Sequence, residues 1–280
     1  MSERDTPAEL PRWRDRDAMR WAACRPAGWA HPLWGALALT AAVAVAAAVV
    51  PGALGTVHYG LAAAQIYWLF GLPELTLISG PVFAVLLMWR MEPEISVPGV
   101  AALLLCWGGA RHRLGVRRRQ RLLAANAALG VRLPLPGPLP PLRRGLVPIA
   151  LGLLLCAAAI PPQTRLLAPV GGTLLAVGVL ARGRAAALRR GGRPVLRVLT
   201  RADEDARTWV YAADDHAGRR PLFSCPTDPE PELPEGPRDG VLRNSLLFGT
   251  PYEGAELVLL SADTDDGPLV DRAAGPVRPA

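Results

Sequence analysis

An uncharged apolar run of 22 residues, Leu33–Leu54, constrains this chain more than any other feature. A helix that crosses the hydrocarbon core of a bilayer needs about 20 mainly apolar residues, and this run has that length. The 32 residues before the run are basic, and its apolar core is longer than that of a secretory signal peptide. The run is therefore predicted to be a membrane span that stays in the chain.

Further apolar runs predict an α-helical, multi-pass membrane domain over residues 33–181. A weaker run, 57–72, carries His58, Gln65 and aromatic residues of the kind favoured at membrane interfaces. The strong runs are 75–89, 95–110, 146–162 and 166–181.

Arginines predict the orientation of this domain, since the chain has 31 arginines and no lysine. Segment 1–32 holds six of them, segment 111–145 holds nine and segment 182–193 holds five. The other connections between apolar runs hold only Arg90 and Arg165. Loops rich in basic residues stay in the cytoplasm, so these three segments are predicted to be cytoplasmic.

Cytoplasmic segments on both sides of the spans require an even number of spans, with both termini in the cytoplasm at the cell membrane. Six spans result if run 57–72 crosses the bilayer, and four result if run 95–110 lies at the inner surface. Both alternatives remain open from the sequence.

The densest basic stretch is "RHRLGVRRRQR", residues 111–121, which follows an apolar run directly. Arginines near anionic lipid headgroups contribute about 1 kcal/mol each, so this cluster is predicted to fix topology at the lipid surface. A site for a specific lipid or acidic partner is the alternative. The arginines of the cluster are Arg111, Arg113, Arg117, Arg118, Arg119 and Arg121.

The net charge of +7 is unevenly distributed along the chain, and this distribution argues against nucleic-acid binding. Residues 1–193 carry 22 Arg and 8 acids, a charge of +14, whereas residues 194–280 carry 9 Arg and 16 acids, a charge of −7. A nucleic-acid-binding module would concentrate positive charge on its folded part. Here the basic residues flank apolar runs instead, so we expect the lipid bilayer and no nucleic acid as a partner.

The tail, residues 194–280, changes to short alternating segments separated by turn sequences such as "GTPYEG" and "DTDDG". This pattern predicts five or six strands in a small all-β barrel-like soluble domain. The tail is predicted to fold alone, with Trp209 as its main anchor. Acidic, proline-rich residues 226–240 form a loop in this scheme.

The sequence contains few groups of residues that could carry out catalysis or bind a metal or cofactor. Glu74 is the only acid near a membrane-embedded run and is a candidate intramembrane polar site, although Pro73 before it also predicts a turn between helices. No nucleophile–base pair, metal-ligand spacing or phosphate-binding loop is present, so we expect no enzyme activity, metal or cofactor. The N-terminal tryptophans, Trp13, Trp21, Trp29 and Trp34, are predicted to lie at headgroup level.

The layout, together with the ending "AELVLLSADTDDGPLVDRAAGPVRP", resembles uncharacterised multi-pass integral membrane proteins of high-GC actinobacteria. The stretch "GLPELTLISGPVFAVLLMWRMEPEISVPGVAALLLCWGGARHR" is similar to membrane subunits of Gram-positive conjugation machines in its order of span, terminal arginine, hydrophilic break and helix. This second resemblance implies four spans. Neither resemblance implies particular functional residues.

These observations predict a basic, Trp-rich segment 1–32, a transmembrane domain 33–181 with a cytoplasmic Arg/Pro-rich loop 111–145, a basic linker 182–193 and an acidic cytoplasmic β domain 194–280. The expected function is that of a non-enzymatic assembly or scaffold subunit that binds an unknown protein partner at the cytoplasmic face. A small transporter or channel that uses Glu74 is one alternative, and a membrane component of a conjugation or secretion machine is another.

Overall fold

Two compact units make up the chain in the computed structural model. The β unit comprises Met1–Arg25, Arg117–Pro140 and Arg184–Ala280, and the helical unit comprises Pro26–Val116 and Pro141–Gly183. The structure describes residues 10–52, 54–134, 145–160, 167–189, 192–203, 207–226, 242–255, 257–262, 268–272 and 277–280.

Seven α-helices occur within these described ranges. They are α1 Asp15–Ala23, α2 Pro32–Val49, α3 Thr56–Gly71, α4 Pro73–Arg90, α5 Pro93–Ala127, α6 Leu146–Ala158 and α7 Leu167–Arg189. Helix α1 belongs to the β unit, and α2, α3, α4 and α6 belong to the helical unit. Helices α5 and α7 begin in the helical unit and end in the β unit.

Prolines mark where helices of the helical unit begin. Pro32 and Pro73 are the first residues of α2 and α4. Proline suits this position because its missing N–H would have no partner in the first turn and its φ is already helical. Only Leu72 separates α3 from α4, so the "GLPE" sequence forms a tight break between two helices.

The prediction of six or four membrane spans is wrong. Among the described residues two helices, α2 and α5, are long and apolar enough to cross a membrane. Helix α6 has 13 residues, which at 1.5 Å per residue gives about 20 Å, short of the roughly 30 Å hydrocarbon core. Run 146–162 overstated its helix, because Ala159 and Ile160 follow the end of α6 at Ala158.

Glycines allow α6 and α7 to approach each other closely. A Cβ added to Gly152 would lie 2.8 Å from the carbonyl oxygen of Gly171, and one added to Gly171 would lie 2.9 Å from that of Gly152. Two turns further along α7, a Cβ added to Gly178 would lie 2.7 Å from the carbonyl oxygen of Gly145. Contacts between backbones through small residues are typical of helix pairs in membranes.

An antiparallel sheet, curled into a half-barrel, forms the framework of the β unit. The strands are β1 Arg132–Leu133, β2 Arg193–Ala202, β3 Arg207–Tyr211, β4 Pro221–Pro226, β5 Arg243–Phe248, β6 Val258–Ala262, β7 Pro268–Arg272 and β8 Arg278–Pro279. Their order is β7-β6-β5-β2-β3-β4-β8, and β1 pairs with the start of β2. The sheet is thus an open half-barrel in the described ranges, and the predicted all-β barrel is corrected accordingly.

Three separate parts of the chain meet at β2. Arg132 of β1 pairs with Pro194, and Val195–Thr200 pair with β5. The N-terminal segment also bonds to β2: Trp13 N donates to Arg197 O at 3.0 Å, and Arg197 N donates to Pro11 O at 2.9 Å. Residues 10–25 and the end of α5 are therefore integral parts of the same folded unit as the tail.

Aromatic side chains from α1 form the centre of the β-unit core. Trp13 and Trp21 are 1% and 0% exposed and meet edge to face, with ring centroids 5.6 Å apart. Both contact Phe223 of β4, at centroid distances of 6.3 and 5.5 Å. The prediction that these two tryptophans lie at headgroup level is wrong, because both are buried in the core of the β unit.

Trp209 is not the anchor of this core. It is only half-buried, and its Nε1 donates to Asp203 Oδ2 at 3.3 Å in an exposed position. The same core cluster as Trp13 and Trp21 contains Leu196, Val198, Phe223 and Leu257.

Candidate functional site

The arginine cluster lies on the second half of α5 and is divided between two environments. Arg113 and Arg117 are each 5% exposed, whereas the other four arginines of the cluster are exposed. Helical periodicity accounts for this division, since the buried stripe Cys106, Ala110, Arg113, Arg117, Gln120, Ala124 and Ala128 repeats every three or four residues. The exposed arginines are Arg111, Arg118, Arg119 and Arg121.

Arg113 closes the end of a neighbouring helix in the helical unit. Its Nη1 donates to the carbonyl oxygen of Leu69 at 2.6 Å, in the last turn of α3. The last carbonyls of a helix have no partner within the helix and carry partial negative charge, so a buried guanidinium is favourable there. Arg113 thus binds the protein itself instead of a lipid headgroup.

Arg117 and its neighbours hold the end of α5 against a turn of the β unit. Arg117 Nε lies 3.8 Å from Glu253 Oε2, and Gln120 Oε1 accepts a hydrogen bond of 3.2 Å from Glu253 N. Arg121 lies over the Tyr252 ring, 3.9 Å from its centroid. The turn is also held from α1, where Trp21 Nε1 donates to Pro251 O at 2.9 Å. This part of the cluster therefore has a structural role in addition to any lipid contact.

Glu74 lies in the first turn of α4, directly after Pro73. A carboxylate at this position is favourable because the N-terminus of a helix carries partial positive charge. Its location fits the interpretation of "GLPE" as a break between two helices. Glu74 does not line the cavity described next, and no other acidic residue lies in α3 or α4.

An apolar cavity of about 350 Å³ lies among helices α2, α3, α4 and α5 of the helical unit. Its volume is at the lower end of the range of about 300–1,000 Å³ that is usual for small-molecule sites. Leu39, Ala42 and Leu103 contribute to its apolar wall. His58, at the start of α3, and Arg90, at the end of α4, are the basic side chains that line it.

A buried amide interrupts this apolar lining. Gln65 is 1% exposed, and its Oε1 accepts a hydrogen bond of 2.6 Å from Ser79 Oγ. Its Nε2 has no hydrogen-bond partner within the described part of the chain. A buried donor without a partner is costly, so this nitrogen is a natural contact for a ligand in the cavity.

Of the residues treated as candidates from the sequence, Arg111, Arg113 and Glu74 belong to the helical unit, and Arg117 to Arg121 belong to the β unit. Sequence reasoning overlooked Gln65 as a site residue, although one polar residue within run 57–72 was a signal for it. The structure also shows no group of three potential metal ligands within its described ranges.

Comparisons of the chain with protein-family models, with curated proteins and with solved structures found no match.

Proposed function

We propose that this protein is a non-enzymatic integral membrane protein that presents its β unit at the cytoplasmic face as an assembly or scaffold module. The helical unit is embedded in the bilayer in this proposal. The β unit is the part that meets an unidentified protein partner.

The distribution of exposed apolar side chains carries the proposal. Among the described residues, all the exposed large hydrophobic side chains except Met19, Leu122 and Leu129 belong to the helical unit. They include Trp89 and Ile160, which are 85% and 80% exposed. An apolar surface this extensive is unfavourable in water and favourable against lipid. The β unit, by contrast, buries its apolar residues on both sides of its sheet.

The composition of the β unit supports an orientation. Its parts flank the helical unit along the chain, and they share one folded unit, so they belong on one side of a membrane. These parts include all six arginines of segment 1–32 and five of the nine arginines of segment 111–145, and such basic residues favour the cytoplasm. In this proposal α2 and α5 cross the bilayer in opposite directions, and both chain termini are cytoplasmic.

The sheet offers a place for a protein partner. Strand β7 stands at one end of the strand order and has one unpaired edge within the described ranges. At the other end, the backbone next to β8 is already bonded, since Val277 exchanges hydrogen bonds with Gly254 and Ala255. Unpaired strand edges bind added strands from other chains, which is a common mode of peptide recognition. This supports a role in assembly over a role in transport, since Glu74 is a helix-terminal residue.

Membrane fractionation and reporter fusions test this function. The full chain should remain with membranes after alkaline extraction, and reporters at the N-terminus and after Ala280 should both read cytoplasmic. Replacing Arg111, Arg118 and Arg119 with Gln should raise the misoriented fraction, because these exposed charges favour the cytoplasmic side. The matched variant Arg113→Gln, which alters a buried arginine, should leave the orientation unchanged. A soluble chain, or termini on opposite sides, would contradict the proposal.

Affinity purification from mild detergent tests the scaffold role. Glu74→Gln should leave both the copurifying proteins and the expression level unchanged. Loss of a proton-coupled flux in vesicles that contain Glu74→Gln would instead support a transporter.

A further inference from the structure

The cavity of the helical unit combines three features that define what it can bind. Its wall is apolar, a buried amide nitrogen without a described partner lies in it, and two basic side chains line one end. An apolar wall alone would accept many hydrophobic molecules. The amide and the basic end together select an elongated amphiphile with an acceptor and an anionic group.

Gln65 is the most specific of these features. Its Oε1 is occupied by the Ser79 hydroxyl, which leaves Nε2 to donate. Since the side chain is 1% exposed, bulk water does not satisfy this nitrogen. The nitrogen has almost no accessible surface, so an acceptor in the cavity, such as a carbonyl oxygen, reaches it once the amide turns toward the cavity.

The basic end lies a defined distance from this donor. His58 is seven residues before Gln65 on α3, which at 1.5 Å per residue places it about 10 Å away along the helix axis. Arg90, the last residue of α4, lines the same cavity and is exposed there. Arginine makes paired hydrogen bonds to phosphate, and its flexible stem adapts the reach of the guanidinium. An anionic group bound here would thus be separated from an acceptor at Gln65 by at least the length of the glycerol backbone of a phospholipid.

We propose that this cavity binds one anionic phospholipid, with its phosphate at Arg90 and His58, an ester carbonyl at Gln65 Nε2 and one acyl chain along Leu39, Ala42 and Leu103. The inference rests on the proposed membrane function, because the bilayer is the source of the lipid. A phospholipid satisfies all three features at once, whereas a fatty acid has no acceptor beyond its carboxylate.

A photoactivatable phosphatidylglycerol tests the proposal. The purified full chain in detergent micelles is titrated with phosphatidylglycerol that carries a diazirine in its acyl chain, and adducts are mapped by mass spectrometry of peptides. Adducts should concentrate on α2 and α5 residues that line the cavity. Adducts spread evenly over the exposed faces of the helices would overturn the proposal.

A pair of neighbouring alanines supplies a matched control. Ala62 lines the cavity, whereas Ala63 is exposed and does not line it. Ala62→Phe fills the cavity and should reduce labelling at least tenfold, while Ala63→Phe should label like the unmodified chain. Equal labelling of the two variants would show that the lipid binds elsewhere.

If Ala62→Phe fails to fold, Gln65→Leu tests whether the lipid binds in the cavity. Leucine has a similar volume, and the Ser79 hydroxyl can bond to a carbonyl of its own helix instead. Loss of the hydrogen bond from Nε2 should raise the half-labelling concentration about fivefold. Arg90→Gln should raise it for phosphatidylglycerol and leave it nearly unchanged for a diacylglycerol that carries the same diazirine, because a diacylglycerol has no phosphate. No change in either variant would refute the assigned contacts.

The outcomes separate the inference from the proposed function. A chain that stays with membranes but gives no cavity adducts retains the membrane function and loses only the lipid site. A chain that leaves the membrane fraction loses the proposed function, and the micelle titration still decides whether the cavity takes a phospholipid.

Discussion

Trp21→Ala should destabilise the β unit strongly. Trp21 is 0% exposed, meets Trp13 and Phe223, and donates from Nε1 to Pro251 O. A buried tryptophan removes about 150–250 Å² from water, which at about 25 cal/mol per Å² corresponds to about 4–6 kcal/mol. Truncation of a core tryptophan to alanine costs about 3–5 kcal/mol, which agrees with this value. A domain of this size has little stability beyond that amount.

The Cys225 thiol offers a local readout of β-unit opening. Cys225 lies in β4, is 0% exposed and belongs to the same core as Trp21. A maleimide reacts with this thiol when the unit opens, and peptide mass spectrometry separates it from the other cysteines. If opening follows the free energy of unfolding, a loss of about 3–5 kcal/mol accelerates labelling roughly 100- to 4,000-fold.

Trp209→Ala is the matched control, because Trp209 is half-buried and its hydrogen bond to Asp203 is exposed. We expect a loss of about 1 kcal/mol and an acceleration of about fivefold for this variant. The reasoning would be refuted if Trp21→Ala accelerated Cys225 labelling less than tenfold, or no more than Trp209→Ala does.

Two further predictions concern packing. Residues 194–280 expressed alone should give no cooperative melt by circular dichroism, because the fragment lacks both α1 tryptophans; a cooperative β-type melt would show that the tail folds without them. Gly171→Ala should lower the melting temperature of the purified chain by several degrees, since the new Cβ would lie 2.8 Å from Cys156 N. Gly172→Ala should leave the melting temperature unchanged, because nothing lies within 4 Å of its added Cβ; equal shifts would contradict the close helix approach.

The strands of the tail were predictable from sequence because their signal is local. Alternating apolar residues and turn sequences placed strands at "PVLRVLT", "RPLFS" and "VLRNSLLFG", and the structure has β2, β4 and β5 there. Gly249 and Gly254, which bracket the "GTPYEG" turn, have φ of 108° and 84°, a conformation that glycine adopts without strain.

The role of α1 in the tail was not predictable from the same pattern. "RWRDRDAMRW" places tryptophans among charged residues, which is equally suited to a lipid interface and to a helix with one buried face. The choice depends on Phe223, about 200 residues away in the chain, and single-sequence periodicity contains no information on such pairings. The same reason explains Arg113 and Arg117, whose buried partners Leu69 and Glu253 are remote in sequence.

The number of spans was overestimated because hydropathy counts residues without knowing where a helix ends. The end of α6 at Ala158 shortens the helix that run 146–162 suggested, whereas α3 and α4 nearly coincide with runs 57–72 and 75–89. Gln65 was noted only as a residue that weakens run 57–72. Its importance depends on Ser79 and on the cavity, and both require the packed arrangement of helices.

The division of the β unit among distant stretches of the chain has a consequence for biosynthesis. Trp13 and Trp21 are synthesised well before their partner Phe223 on β4, which follows about 200 residues later. This unit can therefore complete its fold only after its last strands have been made. Contacts this remote in sequence also make folding slow. In the proposed topology, a chain that is inserted with its N-terminus on the wrong side of the membrane keeps Trp13 and Trp21 on the opposite side from the sheet. The apolar face of the sheet then stays exposed, and proteases and chaperones can recognise it. The β unit therefore folds completely only in chains that were inserted in the correct orientation.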